Sequence, residues 1–209
     1  MCLLRDESAE SAMEHYLAAL NYRDMIVGIG LDSNEDQRPP VLFEELFARA
    51  RADGFRITAH CDVGKTYPVE HVRQVVEVIG GNGANRVDHG LNVVERPGLM
   101  DAIREKSLGL TICPWSYIRH QPPVEVFARI RTLFDVGIKM AIGSDDPAFM
   151  EDTWILENLL VVKKFCRFSD QEMAKLARDA VEMCWAPELV KRDILDELRR
   201  VTESYSGKA

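Results

Sequence analysis

The chain has 209 residues, 46% hydrophobic and 29% charged, the balance of a soluble globular protein with room for a sizeable core. Its formal charge of -8 argues against nonspecific binding to nucleic acid or to anionic membrane surfaces. No run approaches the ~20 apolar residues that span a bilayer, and the early Arg5-Asp6-Glu7 does not read as part of a signal peptide.

In chain order, Ile26 to Leu31 is apolar and reads as a strand. Pro39 and Pro40 open a helix through Ala50, with Val41, Leu42, Leu46 and Phe47 at helical spacing. Phe55 to Cys61 is the next strand, and Val69 to Ile79 a helix stopped by Gly80 and Gly81. Arg86 to His89 is a short strand and Pro97 to Lys106 a helix. Leu108 to Cys113 is a strand closed by Pro114, Val124 to Val136 a helix, and Ile138 to Ile142 a strand. After Pro147 the alternation stops: Asp152 to Phe165, Ser169 to Met183 and Pro187 to Val201 read as helices, and Thr202 to Ala209 as a frayed tail.

Strands alternating with helices over short links imply parallel pairing through helical crossovers. The pattern fits an open doubly wound sheet or a (β/α) barrel. With no repeat or linker, residues 1-209 are expected to form a single domain. Five cysteines, widely spaced and with no CxxC pair, read as reduced thiols, so a cytoplasmic setting is expected and a cysteine zinc site is not. Cys61 is expected to pack as a small apolar residue.

Polar residues gather where the strands end: Asp32, then His60 and Asp62, then His89, then Asp145 and Asp146. In parallel α/β folds those C-terminal ends form the functional face. Zinc accepts imidazole nitrogen and carboxylate oxygen together, keeps a position open for water and lowers the pKa of that water to about 7. His60, His89, Asp145 and Asp146 supply suitable ligands, a proton handler and an anion to orient a nucleophile.

The runs Arg86-Val87-Asp88-His89-Gly90, Thr111-Ile112-Cys113-Pro114-Trp115-Ser116 and Ser144-Asp145-Asp146-Pro147 resemble the adenosine deaminase family in order and spacing. Met1 to Arg5 and Ile26 to Glu35 also fall where that family has barrel strands. The resemblance implies an α/β fold, an incomplete (β/α)8 TIM-type barrel with parallel strands and extra C-terminal helices. It implies one Zn2+ ion held by His60 and Asp145, with His89 orienting and polarising the attacking water. Asp146 would orient that water or contact the purine N7 edge. The implied reaction is hydrolytic deamination of adenosine or a related aminopurine in purine metabolism, with a small-molecule substrate and no nucleic-acid or membrane partner.

This sequence departs from the family pattern at three places. The family's early His-x-His pair is absent; His15, His71 and His120 do not supply it, so the chain is expected to begin near the family's third strand, as an N-terminally truncated barrel. The family's glutamate three residues after the middle histidine is Val63 here. Asp62, on the same side of an extended chain as His60, could substitute as the acid or could merely cap the following turn. Ser33 takes the place of a glycine that approaches the substrate. A non-purine cyclic amide substrate and an inactive truncated barrel therefore stand as alternative readings.

Overall fold

The computed structural model describes residues 1–61 and 68–206. They fall into two compact units, Met1–Leu110 and Thr111–Ala209. The first unit is built on strands β1 (Cys2–Leu4), β2 (Gly28–Asp32), β3 (Arg56–Cys61) and β4 (Arg86–His89). They pair in parallel and in chain order, with Leu3 opposite Leu31, Ile29 opposite Ile57, and His60 opposite Asp88. Ile29, Leu31, Ile57, Ala59, Cys61 and Val87 are buried and, two apart along each strand and in register across it, form one apolar face of the sheet, while Gly30, Thr58, His60, Arg86 and Asp88 fall on the other. Cys61 packs as a small apolar residue, its thiol against the Asp88 carbonyl at 3.6 Å. At Gly30 a side chain would come within 3.1 Å of Cys2 Sγ and 3.2 Å of Thr58 Cγ2, so glycine sets how closely neighbouring rows approach.

Helix α1 (Ala9–Ala19) precedes β2. Sequence periodicity did not signal it, because only Ala12 and Tyr16 of its residues are buried. Ser8 caps it through the Ser11 N–H, and the Tyr16 hydroxyl donates to Asp53 at 2.6 Å. The helix expected from Pro39 is two pieces: a 3-10 turn over Pro40–Phe43, then α2 (Glu44–Ala52). Leu46, Phe47 and Ala50 form the buried stripe of α2. Glu44 accepts from the N–H groups of Gly80 and Gly81 at 2.8 and 3.0 Å, tying α2 to the turn after α3 (Pro68–Glu77). Helix α4 (Pro97–Glu105) buries Leu99 and Ile103, and β5 (Gly109–Ile112) spans the boundary between the units.

In the second unit, Pro114 does not only close β5. It opens the short helix α5 (Pro114–Ile118), proline being suited to a first helical turn. Helix α6 (Pro123–Asp135) buries Val126, Phe127, Ile130 and Leu133, and β6 (Lys139–Ile142) follows. The Gly143 N–H beyond β6 donates to the Ile112 carbonyl at 2.8 Å, joining the ends of β5 and β6. Helices α7 (Ile155–Phe165), α8 (Asp170–Met183) and α9 (Glu188–Ser206) complete the unit. Phe127 stacks on Phe165 with ring centroids 4.9 Å apart. Ser169 and Glu172 form a capping box at the start of α8. Helix α9 continues through the expected frayed tail as far as Ser206, because no glycine or proline interrupts it before Gly207. No helix among the described residues is long and apolar enough to cross a membrane.

Candidate active site

In the first unit, His60 and His89 close strands β3 and β4. Parallel pairing brings their rings to a centroid distance of 4.3 Å at 71°. His89 is buried, and burial, helped by the charge of His60, pushes its pKa down to about 3. It is therefore a neutral imidazole at physiological pH, able to donate from one nitrogen and accept at the other. Its neighbour Asp88 accepts from Arg86 Nε at 2.9 Å and from the Thr58 hydroxyl at 2.8 Å.

Around His60 lies a polar cluster that sequence reasoning missed. Glu35, only 3% exposed, places Oε1 2.8 Å from His60 Nδ1 and Oε2 3.1 Å from His71 Nδ1. Arg5 has no exposed surface; its guanidinium donates from Nη1 to the His60 carbonyl at 2.7 Å and from Nε to the Arg38 carbonyl at 3.0 Å, with Nη2 donating to that same carbonyl. Burial lowers the Arg5 pKa, and the charge of nearby Glu35 opposes that shift. A glutamate and a histidine 36 residues apart give no local signal; only the register of β2 against β3 and the placement of α3 join them.

Ser33 sits just beyond β2 at φ 82, the left-handed region that glycine adopts freely. Its N–H donates to Asp32 Oδ1 at 2.7 Å and its hydroxyl to Asp6. Asp62 and Val63 lie outside the described residues.

In the second unit, Asp145 and Asp146 follow β6. Asp145 has φ 56, and the Asp146 carbonyl accepts from the Phe149 N–H at 2.9 Å. A carboxylate oxygen of Asp145 lies within 4.8 Å of Cys113 Sγ, a buried thiol at the end of β5. Ser33, His89 and Asp145 are thus three strand-end residues held at positive φ without being glycine. Such conformations cost about 1–3 kcal/mol each and cluster at functional sites.

Residues 1–201 match the family model described as adenosine deaminase. The chain belongs to the adenosine deaminase family. A relative in this family, an uncharacterized deaminase of Schizosaccharomyces pombe, is 37% identical over 205 residues, 98% of this chain and 59% of that protein. The crystal structure of an adenine deaminase from Arthrobacter aurescens is similar at a TM-score of 0.87 and 29% identity, covering 97% of this chain and 60% of the other. A zinc-bound amidohydrolase from Burkholderia ambifaria is similar at a TM-score of 0.83 and 25% identity, covering 97% and 58%. The fold class is that of this deaminase family, an incomplete TIM-type barrel with parallel strands and extra C-terminal helices. The chain spans between 52% and 59% of the length of the first curated relatives it matches.

Proposed function

We propose that this chain carries part of the active site of a zinc-dependent hydrolytic deaminase acting on an aminopurine. The single observation that carries the reading is the close pair of His60 and His89 at adjacent strand ends, with rings 4.3 Å apart, in a chain of the adenosine deaminase family. The zinc-bound Burkholderia ambifaria relative supports the choice of metal.

The donor types fit zinc, which takes imidazole nitrogen and carboxylate oxygen. In this reading His60 and Asp145 hold the ion. Bound there, zinc would act as a Lewis acid and make a water ionise near neutral pH. His89, neutral because it is buried, orients the attacking water by a hydrogen bond. Asp146 orients that water or contacts the purine N7 edge. Asp62 is the proposed acid toward the ring nitrogen. Ser33, at its left-handed turn, is the proposed substrate-binding residue beyond β2. Water adds at the carbon bearing the amino group, and ammonia leaves.

Adenosine or a related aminopurine is the proposed substrate class. Adenine is favoured within it, since the Arthrobacter aurescens structure is of an adenine deaminase. The test is ammonia release by the complete gene product at saturating zinc, comparing adenine with adenosine. His89→Asn and Asp146→Asn should each lower turnover by about 10²-fold or more. Absence of ammonia from every aminopurine, with zinc bound, would reject the reading.

A further inference from the structure

We propose that Glu35 is a positioning residue whose buried carboxylate holds the His60 ring in one tautomer, with His71 as the second point of attachment. This rests on the reading of His60 as a metal ligand. A carboxylate that is 3% exposed must be matched by donors, because burying an unpaired charge is costly. Its donors include two imidazoles, one on each oxygen, at 2.8 and 3.1 Å. An ionised carboxylate only accepts, so each Nδ1 must carry the proton. Neutral His60 is then fixed with its lone pair on Nε2, the nitrogen pointing away from Glu35. That is the form in which imidazole binds a metal.

The second attachment decides the geometry. A carboxylate held by one histidine could swing with it. Glu35 is also held by His71, which lies on α3 and is 4% exposed, so the carboxylate is fixed to a packed helix. Arg5 adds a third restraint by donating to the His60 carbonyl. The His60 backbone and ring are thus held by different residues, which removes rotation about its side-chain bonds. Groups that hold a ligand histidine from behind typically change metal affinity by about 10–100-fold when removed.

The test uses the full 209-residue chain with 15N-labelled histidine, whose five histidines give a tractable spectrum. Long-range proton–nitrogen correlation at about pH 8 reads the tautomer directly, without metal and without turnover. His60 and His71 should both carry the proton on Nδ1. In Glu35→Gln, His60 should shift toward the Nε2–H form, and zinc affinity, read by direct titration of zinc against the labelled histidine resonances, should fall by about 10–100-fold. Glu35→Asp should recover part of both. His71→Asn, which leaves Oε1 on His60, should weaken zinc less than Glu35→Gln. An Nε2–H tautomer for His60 in the unaltered chain would overturn the proposal, and this result needs no variant to fold. So would unchanged zinc affinity in Glu35→Gln when His60→Ala abolishes it. If His60→Ala leaves zinc affinity intact, it is the ligand reading of His60 that fails, while the tautomer still judges whether Glu35 sets the ring.

Discussion

Arg5→Met is the sharpest test of how the first unit is held together. Arg5 has no exposed surface, and its guanidinium serves the carbonyls of Arg38 and His60. Methionine fills similar space but donates nothing. Both carbonyls lose a charged donor, and Glu35, 3% exposed, loses the nearby positive charge. Removing one member of a buried charged arrangement costs about 3–5 kcal/mol, more than the 0.5–1.5 kcal/mol of an ordinary hydrogen bond. With a urea slope of about 1–3 kcal/mol per molar, the unfolding midpoint should fall by about 2 M. The assay is urea unfolding followed by circular dichroism. Adding Glu35→Gln should cost less than the sum of the two single changes, because the uncompensated charge is then gone. A midpoint shift below about 0.5 M in Arg5→Met, or strict additivity in the pair, would refute the reasoning.

Further outcomes follow from the same structure. Gly83→Ala should destabilise by at least about 3 kcal/mol, since its φ is 92 and the added carbon would sit 1.9 Å from the Val76 carbonyl oxygen, whereas Gly54→Ala, at φ 86 in open space, should cost about 1 kcal/mol; thermal unfolding ranks the two. The Tyr16 hydroxyl, then Arg49, hold the Asp53 carboxyl below its usual pKa, so the stability this confers is present above the unfolded value, about 4, and is lost as pH falls through the lower folded value. Tyr16→Phe should raise the Asp53 pKa and flatten that acid limb, as carboxyl NMR titration would show. The isolated 209-residue chain should lose zinc on dialysis, because it supplies His60 and Asp145 as proposed ligands where catalytic zinc normally takes three protein ligands. One tightly retained equivalent by metal analysis would contradict that count.

The alternation of strand and helix was legible because strands are short and bring an apolar residue at every second position, as Ile57, Ala59 and Cys61 do, and because glycine and proline punctuate the helices, as Gly80 and Gly81 do after α3. The strand-end histidines and aspartates stood out because charge is rarely placed there for stability alone. Helix α1 was hidden since its face buries only Ala12 and Tyr16, leaving no periodic signal. Helix α5 was hidden behind Pro114, which both ends a strand and suits the start of a helix. Glu35 sat within a loop whose polar residues, Asp32-Ser33-Asn34-Glu35, look alike in sequence.

Composition and local pattern by themselves determined an α/β chain with parallel strands, and the motifs around His89, Cys113 and Asp145 determined its family. Those properties depend on residues close together in the chain. Which carboxylate stands behind which histidine was decided only in three dimensions. The β2–β3 pairing that sets Leu31 opposite Ala59 brings the loop after β2 alongside the end of β3, and α3 carries His71 to the other side of Glu35. Parallel pairing joins residues some 25 to 36 positions apart, and no periodicity within a strand or helix encodes a contact made across that separation.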